Sequence, residues 1–151
     1  MADRWHPWRA VARHSDVTVV YDDPGEGNVG LVDLRTRVIT LCPSLLQDER
    51  RSTLTHELVH LERGTPCGPG DPEEREVERL AAVRIITLPD LVEALKWSDH
   101  LDEQAVELWV DEDTVRVRLR HLTEPERREL SRARAARDGL EDPAQAYPEE
   151  P

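Results

Sequence analysis

The residues with the clearest chemical potential lie at positions 55–62, where His56, Glu57 and His60 follow the order His-Glu-x-x-His. Residues four apart lie one turn above each other on a helix, so His56 and His60 can direct two imidazoles at one metal ion. Glu57 lies beside them and can take a proton from a water molecule that a metal has made more acidic. The pattern predicts a hydrolytic metal site with Glu57 as general base. The alternative is two surface histidines on an amphipathic helix.

This chemistry requires the motif to be helical. Leu54, Leu58 and Leu61 recur at i, i+4 and i+7, which predicts an apolar stripe on one face of a helix, and Gly64 is well placed to end it. We therefore predict a motif helix over about residues 48–63.

A metal site needs a third ligand, and the acid-rich segment at about residues 72–87 can supply it. This segment is predicted to be helical because Pro72 stands at its first position and acids fill its first turn. Glu74 and Glu78 share a predicted face with apolar residues that should turn inward, namely Val77, Ala81 and Ile85. Buried carboxylates are costly without a cation or hydrogen-bond donors, and a metal would satisfy both.

The sequence leaves the identity of this third ligand open. Glu74 is the first candidate and Glu78 the second, while a capping-box spacing from Asp71 would give Glu74 a purely structural role. Cys67 follows His60 by seven residues and could also reach the metal. A cysteine ligand would favour a structural zinc over a catalytic one. Cys42 is interpreted as a small buried residue.

The motif and the acid-rich helix, which is followed by a Leu-Pro pair, resemble the ImmA/IrrE family over roughly residues 5–122. In the wider gluzincin pattern the ligand glutamate is followed four residues later by an acidic or amide residue that contacts a ligand histidine. The resemblance therefore implies zinc held by His56, His60 and Glu74, with Glu78 orienting an imidazole.

The resemblance also implies a function. ImmA/IrrE proteins are metallopeptidases associated with cleaving or inactivating helix-turn-helix repressors, often in mobile elements or stress responses. We therefore expect a zinc metalloendopeptidase whose protein substrate is a transcriptional repressor. A non-catalytic, zinc-stabilised protein that binds a repressor is the alternative. A second oxyanion donor should exist, and Arg51, His100, Arg116 and His121 are candidates between which the sequence does not choose.

The remaining chain predicts an α+β fold in a single domain over residues 1–140. Three strands at about 17–41 are expected to form a small antiparallel sheet, packed on a helical zincin-like core. A helix-turn-helix-like pair is predicted at about 101–122 and a last helix at about 124–138. The Pro- and acid-rich segment 141–151 is predicted to be a disordered tail.

Charge and composition restrict the function classes further. Arg116, Arg118 and Arg120 could read DNA from the second helix of the pair. The formal net charge of −12 and the acids at 111–113 argue against this, so we expect the pair to pack around the active site. No apolar run approaches a membrane span, and two cysteines do not make a disulfide framework. A cytoplasmic location is expected. The chain has no Phe, so its four Trp and its aliphatic residues are expected to fill the core.

Overall fold

The computed structural model describes residues 4–140, so the predicted tail at 141–151 lies outside the described residues. Over the described range the chain forms seven helices and three strands, which confirms the α+β class. The elements in chain order are α1 (Pro7–Val11), β1 (Thr18–Tyr21), β2 (Gly30–Asp33), β3 (Val38–Leu41), α2 (Gln47–Arg63), α3 (Pro72–Ile85), α4 (Leu88–Trp97), α5 (Leu101–Leu108), α6 (Glu112–Arg120) and α7 (Glu124–Leu140).

The sheet is mixed, so the predicted all-antiparallel arrangement is wrong. Its strand order is β1-β3-β2, with β3 parallel to β1 and antiparallel to β2. The register pairs Thr18 with Val38 on one side of β3 and Asp33 with Val38 on the other. The three strand directions agree with a meander, but β3 lies in the centre and β2 at an edge.

Burial explains this strand order. Ile39 and Leu41 of β3 are completely buried, whereas β1 and β2 contain only exposed and half-buried residues. The most apolar strand therefore takes the position with neighbours on both sides. The segment between β1 and β2 is too long for a tight hairpin and includes Gly25 and Gly27 at positive φ, so it can carry the chain across the width of β3.

The motif helix α2 lies between two parts of the core. Its leucines Leu54, Leu58 and Leu61 pack with the sheet residues Ile39 and Leu41, as the predicted stripe requires. On another face Val59 packs against Val77 and Ala81 of α3. Residues on α2 that lie between these faces are thus held rigidly by packing on both sides.

The helix-turn-helix-like pair forms as α5 and α6, joined at Trp109, which has a left-handed backbone with φ of 59°. The pair packs into the helical part of the core, where Ala105, Leu108, Val110 and Val115 are buried. Arg118, one of the three candidate DNA readers, is only 1% exposed and donates from Nε to the Ile86 carbonyl oxygen at 2.8 Å. The burial of Arg118 agrees with the prediction that this pair of helices packs against the rest of the fold.

Two further predictions concern the burial of the tryptophans and the presence of a membrane-spanning segment. Trp97 is 77% exposed and Trp109 57% exposed, so the prediction that all four tryptophans fill the core is wrong. Trp5 and Trp8 do pack against it. Between residues 4 and 140 no helix is both long and apolar enough to cross a membrane.

Candidate metal centre

Helices α2 and α3 bring His56, His60 and Glu74 together. The two Nε2 atoms are 3.0 Å apart, and each faces one oxygen of the Glu74 carboxylate. The distance from His56 Nε2 to Oε1 is 2.9 Å, and that from His60 Nε2 to Oε2 is 3.1 Å. All three side chains are half-buried. Within the described residues this is the group of His, Cys, Asp and Glu side chains whose donor atoms converge closely enough to hold a metal ion.

These distances fit a metal centre. Ligand atoms at the usual Zn–N and Zn–O distances lie about 3.3 Å apart in a tetrahedral site. The three distances in this group are within a few tenths of an ångström of that separation. Both histidines also present the same nitrogen, Nε2, toward the carboxylate. The residues present can therefore hold a metal ion without large rearrangement.

The start of α3 explains why Glu74 is free to face the histidines. Asp71 caps the helix by accepting a hydrogen bond from the backbone N–H of Glu73 at 3.0 Å. Val77 and Ala81, which follow Glu74 on the same stripe, are buried against α2. Glu74 therefore turns toward α2, and the alternative in which it only caps its own helix is wrong.

Burial favours the neutral form of the two imidazoles. It lowers the pKa of His56, and the neighbouring His60 lowers it further, while the Glu74 carboxylate acts in the opposite direction. Burial also lowers the pKa of His60, again opposed by Glu74. A neutral imidazole has a free nitrogen lone pair, which is the form that ligates a metal.

Glu57 is 6% exposed and lies against the sheet edge. Burial is the main cause that raises its pKa to about 7, and the Glu74 carboxylate adds to the increase. The backbone N–H of Val32 donates a hydrogen bond to the Glu57 carboxylate and partly offsets this. Glu57 is thus a buried carboxyl group whose proton affinity lies near neutrality, a property typical of catalytic acids and bases.

The register of the sheet explains the contact with Val32. Cys42 donates its backbone N–H to the Val29 carbonyl oxygen at 2.8 Å, so Val29 faces β3. Because backbone direction alternates along an antiparallel strand, Gly30 and Val32 direct their N–H and C=O groups away from β3. The free edge of β2 therefore faces Glu57.

Gly30 allows this edge to approach the motif helix. A Cβ atom at Gly30 would lie 2.4 Å from the Thr53 methyl group and 3.2 Å from Oε1 of Glu57. A side chain at this position would therefore force Thr53 or the strand to shift, whereas glycine fits as the chain stands. No local sequence pattern indicates this role of Gly30.

An open cleft of about 1030 Å³ lies over the three converging side chains. Its walls come from β2 and the loop before it, from α2 and α3, from the loop at 65–70 and from α6. Besides Glu57 and Glu74 the cleft is lined by five further acids, and Arg35 is the arginine among its lining residues. Those five are Glu26, Asp33, Glu78, Asp111 and Asp113. The cleft is therefore strongly acidic.

Glu78 is half-buried in the wall of this cleft. Its charge raises the pKa of His56, so it lies near that ring. Between residues 4 and 140 no hydrogen bond joins Glu78 to either imidazole, and its carboxylate is not part of the converging group. Its predicted orienting contact is thus not formed in this structure, whereas Cys67 makes contacts of that kind.

Cys67 lies against two of the converging residues. Its Sγ is 3.2 Å from Oε2 of Glu74 and 3.6 Å from Nδ1 of His60. Burial and the hydrogen bond to Glu74 raise the pKa of this thiol to about 12. Cys42, by contrast, lies 3.1 Å from the Ser44 hydroxyl and packs beside the sheet core.

The four candidate oxyanion donors do not line the cleft. Arg51 is 4% exposed and donates to the backbone carbonyl of Trp109, so it joins α2 to the turn between α5 and α6. Arg116 pairs with acids of its own helix, Glu112 and Asp113. Asn28, Arg35 and Thr114 are polar cleft residues that no local sequence pattern indicates, because the first two depend on the strand order and Thr114 on the packing of α6.

Comparisons with protein-family models, with curated proteins and with solved structures find no match for this chain. The resemblance to the ImmA/IrrE family therefore stays a prediction from the motif residues. What the described residues establish is a group of His56, His60 and Glu74 that could hold a metal ion, beside a buried Glu57 and under an open cleft.

Proposed function

We propose that this chain is a zinc-dependent endopeptidase of the ImmA/IrrE type that cleaves a helix-turn-helix transcriptional repressor. One observation carries this proposal. Two histidine Nε2 atoms and the Glu74 carboxylate converge beside the buried Glu57, at the base of a cleft that is open to a polypeptide.

The donor set supports zinc and a catalytic site. Two imidazoles and one carboxylate are a common three-ligand set for catalytic zinc, which keeps a further position for water or substrate. Bound zinc would supply Lewis acidity, polarising the scissile carbonyl and lowering the pKa of water toward neutrality. The cleft above His56, His60 and Glu74 gives a substrate access to this position.

Glu57 is suited to act as the general base that carries a proton from the attacking water to the leaving nitrogen. It is close enough to Glu74 for the two charges to interact, and a cation bound between α2 and α3 would favour its ionised form, against the effect of burial. The Val32 N–H keeps one side of the carboxylate occupied, so the proton is exchanged on the side that faces the cleft. Glu57 then accepts a proton from the attacking water and returns it to the leaving nitrogen.

The free edge of β2 is suited to hold the substrate. The outward-facing backbone groups of Gly30 and the carbonyl of Val32 line the cleft and can pair with an extended peptide by β-augmentation, while the Val32 N–H stays with Glu57. The acids in the cleft walls favour a segment that carries Lys or Arg side chains. A loop or locally unfolded segment of a DNA-binding repressor can adopt an extended conformation and carries Lys or Arg side chains.

Digestion of unstructured peptides tests this proposal. The zinc-loaded protein is incubated with a peptide library, and mass spectrometry identifies new termini. We expect cleavage that a chelator stops and added zinc restores, with peptides containing Lys or Arg near the cleaved bond preferred over matched peptides containing Glu, because the cleft is acidic. Cleavage of a helix-turn-helix repressor at such a segment would support the substrate class. Absence of zinc-dependent cleavage of any peptide or repressor would contradict the proposal.

A non-catalytic repressor-binding protein with a structural zinc is the second candidate function. The position of Cys67 beside His60 and Glu74 favours it, because a fourth protein ligand would close the metal site. The Glu57→Gln protein distinguishes the candidates, since only a peptidase loses its function with the metal retained. A DNA-reading role has less support, because Arg118 is buried and Arg116 is paired with acids.

A further inference from the structure

Cys67 is the residue that the loop between α2 and α3 directs inward. From residue 62 to residue 72 every other residue is exposed, whereas Cys67 is half-buried. Its sulfur contacts two different side chains of the converging group, Glu74 at 3.2 Å and His60 at 3.6 Å.

The ends of this loop are held in place. Arg63, at the end of α2, forms a two-pronged ion pair with Glu73 in the first turn of α3, with an Nη2–Oε2 distance of 3.0 Å. Arg75 donates to the Gly70 carbonyl oxygen at 3.0 Å, and Asp71 donates its backbone N–H to Gly68. These contacts bring Cys67 back toward the histidines, so its position follows from the fold of the loop.

The hydrogen bonding of a metal-ligating histidine indicates a role for Cys67 beside His60. A histidine that ligates through Nε2 carries its proton on Nδ1, and this N–H usually donates to a neighbouring acceptor, which fixes the ring. In this structure the group next to His60 Nδ1 is the Cys67 sulfur. A thiol is both a weak acceptor and a weak donor, so the same sulfur can accept from His60 and donate to Glu74.

We propose that Cys67 is a positioning residue that orients His60 and Glu74 for metal binding without ligating the metal itself. The chain of contacts runs from the Nδ1–H of His60 to Sγ, and from the thiol hydrogen to Oε2 of Glu74. Cys67 thereby takes the orienting role that the sequence analysis assigned to Glu78. This inference rests on the proposed metal site.

Zinc affinity of four proteins tests the proposal: wild type, Cys67→Ala, Cys67→Ser and Cys42→Ala. Affinity is measured by competition with a chromophoric chelator, and thermal unfolding of the metal-free proteins confirms equal folding. We expect Cys67→Ala to weaken zinc binding about 10- to 100-fold, as removal of an orienting partner does. Cys67→Ser should stay close to wild type because a hydroxyl also donates and accepts. Cys42→Ala is the matched control and should bind as wild type does.

Cobalt substitution separates positioning from ligation. If Cys67 only positions the ligands, the Co²⁺-loaded wild-type protein shows no thiolate-to-cobalt absorption band, and its spectrum resembles that of Cys67→Ser. A thiolate band in the wild type that disappears in Cys67→Ser would overturn the proposal and make Cys67 a ligand. Unchanged zinc affinity in Cys67→Ala would also overturn it while leaving the metal site intact. Failure of the wild type to bind zinc at all would instead overturn the proposed function together with this inference.

Discussion

The Glu57→Gln protein is expected to bind zinc as wild type does and to lose peptide hydrolysis by about 10²- to 10⁴-fold, the usual contribution of a general base. Glutamine keeps the volume of the side chain and can still accept from the Val32 N–H, so the contact with the sheet edge survives. It cannot take a proton from water. Because Glu57 does not belong to the converging donors, its replacement leaves the metal ligands in place.

Glu62→Gln is the matched control for this experiment. Glu62 lies on the same helix, is exposed and pairs with Arg84 of α3 at 2.7 Å, away from the cleft. The variant should retain wild-type hydrolysis and zinc content. Hydrolysis is measured as the initial rate of cleavage of one peptide at saturating zinc, together with metal content by elemental analysis. Wild-type hydrolysis by Glu57→Gln would require a different base and would contradict the assignment.

The second large effect concerns stability. Glu126→Ala is expected to lower the free energy of unfolding by about 3 kcal/mol, the lower end of the range for breaking a buried ion pair. The Arg118 guanidinium is 1% exposed and pairs with Glu126, with an Nη2–Oε1 distance of 2.6 Å. Glu126 also accepts from the Thr123 N–H at 2.8 Å, which caps α7. Its removal leaves a buried cation and removes one of the two capping hydrogen bonds at the start of α7, as urea unfolding should reveal.

The pH dependence of this effect has a definite sign. The hydrogen bond from Arg118 holds the pKa of Glu126 at about 2, below its ordinary value of 4.5. A lowered carboxyl pKa stabilises the folded state fully above the ordinary value, and this contribution is lost as the pH falls through about 2. The difference between wild type and Glu126→Ala should therefore be largest near neutrality and shrink in acid.

Arg116→Ala is the control for the ion pair. Arg116 lies on the same helix as Arg118 but is exposed, and it pairs with Glu112 at 3.0 Å. Exposed pairs of this kind contribute less than about 1 kcal/mol, so its loss should be small. Equal destabilisation by Arg116→Ala and Glu126→Ala would show that burial of Arg118 does not determine the effect.

Features that depend on local sequence could be predicted well. The helical spacing of Leu54, Leu58 and Leu61 identified the motif helix, which begins one residue before its predicted start, and Gly64 ends it with φ of 67°. The stripe through Glu74 and Val77 identified the face of α3 that turns toward the histidines. In both cases the periodicity of one helix carries the information.

Features that depend on tertiary contacts could not be predicted. Strand order follows from the burial of β3, and the same strand directions are compatible with either order. Gly30 acquires its role only because β2 is an edge strand above α2. Arg51 was a candidate donor by residue type, yet it donates to a backbone carbonyl 58 positions away in the chain. Contacts between segments that are distant in the chain leave no local sequence pattern from which they could be predicted.

The zinc content of wild-type and Glu74→Ala proteins tests the central claim most directly. Both are dialysed after exposure to zinc and examined by elemental analysis, with Glu76→Ala as control because Glu76 lies on the same helix and pairs with Arg79 at 2.7 Å. We expect equimolar zinc in wild type and Glu76→Ala, and loss or strong weakening of zinc binding in Glu74→Ala. A wild-type protein that holds no zinc, even when zinc is supplied, would contradict the metal centre and the peptidase function together.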